Sequence, residues 1–260
     1  MVSLSSTAAE FLGPAIATLL ITAAKPATVF AVDAATFGVG VLFLLRVRPR
    51  PRGVPADREP FMRELAAGLR AVRSRPWVWV TLVVFSIAAA IGIAPFFVLG
   101  PAVAEQHYDS STMFGLLVTM VGVGTFAGAI LGLRWRPRRP LRTAFLVALA
   151  WPASLAAFAI GAPLALVLVA MVCAGVAIAL FEIWWDTMVM ELIPPELLSR
   201  VSAWDWLGSV GLFPVSYLAV GFLAASVSAS SLLLIGTMGA ALLLALGLLS
   251  EDTRTVESTA

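Results

Sequence analysis

Arg46-Val47-Arg48-Pro49-Arg50-Pro51-Arg52 opens the longest polar stretch of the chain, residues 46–76, and its position decides how the remainder is read. Alternating arginine and proline does not continue a helix, because proline lacks an N–H and clashes with the preceding turn. Residues 46–58 therefore read as a linker and as the clearest domain boundary. Apolar runs lie on both sides. Their punctuation by Pro, Gly and charge predicts helices at about 4–24, 27–45, 77–103, 112–133, 143–161, 164–188, 202–224 and 230–249. The expected organisation is two spans over 1–45, a cytoplasmic linker over 46–76, a six-helix bundle over 77–249 and a cytoplasmic tail over 250–260.

Composition gives the same solvent. Of 260 residues, 60% are hydrophobic and 12% charged, and the mean hydropathy is +0.98. A soluble domain carries about 25% charged residues to keep its surface wetted, so a soluble enzyme, a nucleic-acid reader and a disordered chain are all excluded. At about 20 apolar residues per spanning helix, the length accommodates eight spans. The fold class is an all-α, multi-pass membrane protein with the lipid bilayer as its surroundings. The single cysteine, Cys173, and the single histidine, His107, exclude a disulfide framework, a thiolate metal site and a His-rich metal centre. No P-loop occurs, and no cofactor or metal is expected. Residues Met1 to Pro14 do not read as a cleavable signal peptide.

Charge sets the orientation. Lys and Arg near span ends are retained in the cytoplasm. With 46–76, 134–142, 189–201 and both termini inside, 16 of the 17 basic residues are cytoplasmic, and only Lys25 is outside. Trp77, Trp79, Trp135, Trp184, Trp185, Trp204 and Trp206 all fall near the cytoplasmic span ends, where indoles collect at the headgroups. Trp151 alone sits within a span. The expected location is the bacterial inner membrane. Within the linker, Phe61, Met62, Leu65, Ala66, Leu69 and Val72 recur at helical spacing, which predicts an amphipathic helix over Glu59–Arg75 on the membrane surface or against the bundle.

An ionisable group at the centre of an apolar span costs on the order of 2.5–3.5 kcal/mol on insertion, so each one needs a reason. Glu10, Asp33, Glu182, Asp186 and Asp205 are the candidates. Glu182 and Asp186 stand one turn apart on one helix face, where carboxylates can bind a cationic substrate or carry a proton. A second reading is a cytoplasmic gate. Asp186, Glu191, Arg200 and Asp205 stand at the two ends of one connection, and such charges pair on closing and separate on opening. Solvated helix caps are the third. Asp33 is expected to contact a neighbouring helix, Glu10 to be interfacial, and His107 to be an exposed imidazole in the external connection at 104–111. Gly124, Gly128 and Gly132 recur every four residues and mark a close helix contact. Pro95, Pro152 and Pro214 are expected to kink their spans.

Several stretches resemble the major facilitator superfamily of secondary transporters, and specifically exporters of the enterobactin-exporter and transmembrane-secretion-effector type. They are Phe11-Leu12-Gly13-Pro14-Ala15, Phe30-Ala31-Val32-Asp33-Ala34-Ala35-Thr36-Phe37, Leu69-Arg70-Ala71-Val72-Arg73-Ser74-Arg75-Pro76-Trp77 and Val123-Gly124-Thr125-Phe126-Ala127-Gly128. The longest is Pro194-Pro195-Glu196-Leu197-Leu198-Ser199-Arg200-Val201-Ser202-Ala203-Trp204-Asp205-Trp206-Leu207-Gly208-Ser209, followed by Pro214. The family has twelve spans in two six-helix halves joined by a cytoplasmic loop. Aligned on that loop, the chain resembles spans five to twelve, which implies that the first four are lacking. Gly13-Pro14 resembles the antiporter motif of span five, with Leu4 in its leading position and Ala17-Thr18 in place of its final glycines. In the family's pattern the span carrying Glu182 and Asp186 lines the central cavity together with the span at 77–103.

The resemblance implies efflux of a small amphiphilic molecule (drug, siderophore or metabolite) by alternating access driven by protons. An inactive remnant of such an exporter is the alternative. A membrane-embedded enzyme using Glu182 and Asp186 is a third reading, disfavoured by the missing His clusters and metal-ligand spacings.

Overall fold

The computed structural model describes residues 26–46, 61–250 and Thr253, and the regular structure among them is helical. The predicted span at 4–24, with Glu10 and the Gly13-Pro14 pair, lies outside the described residues, as do residues 47–60 of the linker and 254–260 of the tail. The chain divides between Pro60 and Phe61 into two units. In the first, α1 (Pro26–Arg46) is an apolar helix of 21 residues that coincides with the predicted second span. Within it, the Thr36 hydroxyl donates to the Asp33 carbonyl oxygen at 2.7 Å.

The second unit begins with α2 (Phe61–Arg73), the predicted amphipathic helix. It packs against the bundle: the Trp204 indole N–H donates to the Leu65 carbonyl at 3.1 Å, and Gly68 lies under the Trp204 ring. Its buried face holds Gly68, Ala71 and Val72, while Ala66, expected on that face, is exposed. This helix therefore belongs to the six-span unit, so the structural division at Pro60/Phe61 falls inside the 46–76 segment. Six spans follow. They are α3 (Pro76–Ala88), a π turn (Ala89–Ile93) and α4 (Ala94–Tyr108), then α5 (Thr112–Gly132), α6 (Pro140–Ala148) with α7 (Ala150–Ala159), α8 (Leu164–Leu192), α9 (Pro195–Gly211) with α10 (Phe213–Leu223), and α11 (Ala229–Gly247). Several outrun the expected bounds, notably 77–103, which continues to Tyr108, and 202–224, which begins at Pro195. Hydropathy marks the lipid, whereas helices end where backbone bonding ends. Pro76, Pro140 and Pro195 each occupy a first helical position, where no N–H is needed.

The three expected proline sites each coincide with an interruption. Ahead of Pro95 the helix widens, and Ala94 N–H bonds to the Ala89 carbonyl, five residues back. In that register the Ala90 carbonyl would take its bond from residue 95, and proline has no donor. The Ser216 hydroxyl, from α10, supplies it. Trp151 covers Gly92 in the same turn, which accounts for the one mid-span tryptophan. Pro152 and Pro214 follow the breaks between α6 and α7 and between α9 and α10.

The glycine stripe lies where α5 meets α8. A Cβ at Gly124 would strike the Val172 carbonyl oxygen, and one at Gly128 would come 2.7 Å from that of Val176. The two backbones touch. Gly175 answers from α8, facing Val121.

The span ends gather into two groups. At one end the Trp184 indole donates to the Trp135 carbonyl at 3.1 Å, and Trp77 meets Trp185 edge-on at 5.8 Å. Every arginine between residues 61 and 250 belongs to this end. At the other end Tyr108 donates to the Ala162 carbonyl at 2.7 Å. His107 is half-buried there, correcting the expectation of an exposed imidazole. Its Nε2 lies 3.1 Å from both the Ala159 carbonyl oxygen and Ser230 Oγ, while Ser230 donates to Gln106. Both partners must accept, so Nε2 carries the proton. Three spans are thereby tied through one ring, an arrangement invisible in a sequence whose apolar run stops short of the end of α4.

Ser216→Ala should cost on the order of 1–3 kcal/mol by stranding the Ala90 carbonyl, and less in a Pro95→Ala background that restores an N–H. Equal costs in the two backgrounds, measured by thermal unfolding in detergent, would contradict the compensation. Gly124→Leu should abolish monodisperse folded protein, because neither backbone can retreat; an unchanged melting temperature would refute the contact.

Candidate functional site

A cavity of about 470 Å³ opens among α3, its π turn, the α6–α7 span, α8 and α9. Its walls follow helical periodicity. Thr81, Leu82, Phe85, Ser86 and Ala89 come from α3 and the π turn, and Ala177, Ile178, Phe181, Glu182, Trp185 and Asp186 from α8. Asp205, Trp206, Ser209 and Val210 come from α9. Each interrupted span contributes residues beside its break: Ala89 and Ile93 at the π turn, Ala148 and Trp151 around Leu149, and Val210 and Phe213 around Leu212. Broken helices at a cavity are a recurrent way to build a binding site in lipid, since irregular backbone is tolerated only where protein or water meets it.

One wall is aromatic. Phe85 and Phe181 stack with centroids 3.8 Å apart, and Phe181 lies nearly parallel to Trp185 at 6.4 Å. Phe145 abuts Phe85 edge-on at 5.0 Å from behind. The charged part is entirely acidic. Away from their ends, the six spans carry Glu182, Asp186 and Asp205, and all three line this cavity. No lysine, arginine or histidine lines it. Asp205 Oδ2 accepts the Trp185 indole N–H at 3.1 Å, a bond that joins α8 to α9. The Thr81 hydroxyl donates to its own helix, at the Trp77 carbonyl, so it closes the wall without claiming a ligand.

The structure thus brings Glu182 and Asp186 together with the span at Pro76–Ala88. Of the other four-residue grouping, it turns Arg200 away from Asp205. The connection between α8 and α9 is only Ile193 and Pro194, so Glu191 and Arg200 both lie within helices. Arg200 and Asp205, five residues apart, point about 140° away from each other at 3.6 residues per turn. Asp205 faces the cavity, whereas the Arg200 Cβ would lie 3.2 Å from a Cβ at Gly68 of α2. Asp205 is a cavity residue as well as one near the mouth. Glu182 is also deeper than the boundary at 188 implied, because α8 runs on to Leu192 and leaves it about 15 Å from the helix end at 1.5 Å per residue. The aromatic partners Phe85, Phe181 and Trp185 were not foreseen; the adjacency of Trp185 to Asp186 was the available signal.

The sequence model of the Major Facilitator Superfamily matches residues 1–210. The chain belongs to the Major Facilitator Superfamily. No curated protein and no solved structure matches it. Membership, with six helices among the described residues long and apolar enough to cross a membrane, makes this a multi-pass transporter of small molecules.

Trp185→Phe keeps the stack but removes the donor to Asp205. A mutational cycle with Asp205→Ala should show coupling of about 1.5–3 kcal/mol, the range for hydrogen bonds to charged groups. Additive effects on the melting temperature would show that the bond carries no weight.

Proposed function

We propose that this facilitator exports a small amphiphilic cation in exchange for protons, with Glu182, Asp186 and Asp205 as the shared binding groups. The observation that carries the reading is the convergence of all three mid-span carboxylates on one aromatic-walled cavity without a basic side chain. Withdrawal from water favours a carboxylate that holds a proton or a cationic ligand over the bare charge. A ligand cation and protons therefore compete for the same oxygens, and that competition is exchange. Stacked Phe85, Phe181 and Trp185 offer faces to the apolar and cationic parts of the ligand. The volume, about 470 Å³, suits a drug-sized molecule.

Alternating access requires two arrangements of packed elements. We assign the moving parts to the interrupted spans, above all α9, and the fixed seam to the glycine contact between α5 and α8. Glu191 and Arg200, flanking the Ile193-Pro194 turn, are proposed as gate charges; Asp205 is assigned to the cavity. The retention of basic residues supports assigning the arginine-bearing end to the cytoplasm; on this reading both termini are cytoplasmic and the membrane is the bacterial inner membrane. Likeness to the enterobactin-exporter type supports the outward direction, and the six spans from Pro76 to Gly247 are read as the C-terminal bundle of the twelve-helix fold.

Efflux of a lipophilic cation dye from energised cells tests this. Glu182→Gln with Asp186→Asn should abolish efflux while membrane insertion stays normal, and collapsing the proton gradient should stop the unsubstituted protein. Undiminished efflux by the doubly substituted protein would dismiss the carboxylate mechanism.

A further inference from the structure

Behind α3, on the side away from the acidic cavity, a groove of about 840 Å³ runs along the seam of α2, α3 and α9. Its lining holds one charge, the exposed Arg73 guanidinium at the end of α2. Trp79 and Trp204 stand at the same end, and apolar side chains continue to Ile87 on α3 and to Leu212 just past α9. From either tryptophan to the far end is about 12 Å at 1.5 Å per residue. That is most of one leaflet of a hydrocarbon core roughly 30 Å thick. Gly208 and Gly211 contribute no side chain to the α9 wall between Trp204 and Leu212.

We infer that this groove binds one anionic phospholipid, with its phosphate on Arg73 and an acyl chain lying along α3 and α9. Charge complementarity selects this occupant. A phosphate gives the guanidinium charge-assisted bonds, and the indoles sit at headgroup level beside it. An apolar helix packed on the same face would bury the guanidinium at a desolvation cost that nothing apolar repays. Leu82 and Ser86 line both the groove and the acidic cavity, and a Cβ at Gly208 would come 2.7 Å from Ser86 Oγ. The bound chain therefore props the thin wall between them. This assignment does not depend on the nature of the transported molecule.

Native mass spectrometry of the full purified chain, supplied with phosphatidylglycerol or phosphatidylethanolamine in detergent, tests it. The unsubstituted protein should retain one phosphatidylglycerol in preference to phosphatidylethanolamine by roughly fivefold, the effect of a single arginine near a membrane surface. Arg73→Gln should bring the preference to parity. Gly211→Leu, which keeps the charge and fills the groove, should lower retention of both lipids, and Val83→Trp does the same from the opposite wall if Gly211→Leu does not fold. Arg138→Gln, at the same end but outside the groove, should change nothing. Unaltered phosphatidylglycerol retention in Arg73→Gln, an equal loss in Arg138→Gln, or a dimer that excludes lipid from the unsubstituted protein would each overturn the assignment.

Discussion

In hydrocarbon there is no water to satisfy a backbone group, so every break in a helix must be answered by another part of the protein. That constraint organises the second unit. Pro95 cannot donate to the Ala90 carbonyl in the π register, and Ser216, 126 positions along the chain, does so instead. Trp151 fills the space that Gly92 leaves beside the same turn. The three interrupted spans all contribute to one cavity. Irregular backbone and ligand space are thus the same region, and the uninterrupted α5 and α8 supply the rigid contact against which it is built.

Burial contributes less here than in a soluble domain. Leu218 and Phe222 remain 77% and 82% exposed, as lipid-facing side chains should. Specificity among the spans comes instead from close backbone approach and from polar ties. Gly124, Gly128 and Gly175 permit the first. Trp184 to Trp135, Trp204 to Leu65 and His107 to Ala159 provide the second at the two ends. Within the cavity, the Trp185–Asp205 bond belongs to the same class, but it joins a carboxylate that has another use.

Much of this was legible in the sequence for physical reasons. Lipid demands long apolar runs, and charge is tolerated only at their ends, so the spans, the arginine-bearing end and the deviant carboxylates Glu182 and Asp186 could be read directly. The glycine spacing predicted a contact, and Gly124 and Gly128 make it. What could not be read was anything set by the rotation of one helix against another. Asp205 was grouped with Arg200 by nearness in the chain, yet the turn of α9 sends the two to different sides. The acceptor role of Ser216 depends on a π turn, which no hydropathy pattern encodes. His107 falls outside the apolar run because α4 outlasts it.

The central claim is that the acidic cavity is reached in turn from the two sides of the membrane. A Cys173→Ala background removes the single cysteine, and Ser209→Cys then places a thiol on the α9 wall of the cavity. Labelling this variant with a membrane-impermeant thiol reagent, applied to intact cells and to inverted vesicles, reads the exposure of that wall directly. The account predicts modification from both sides, with the ratio shifted by a proton gradient. Modification from one side alone, unchanged by the gradient in folded and inserted protein, would contradict it.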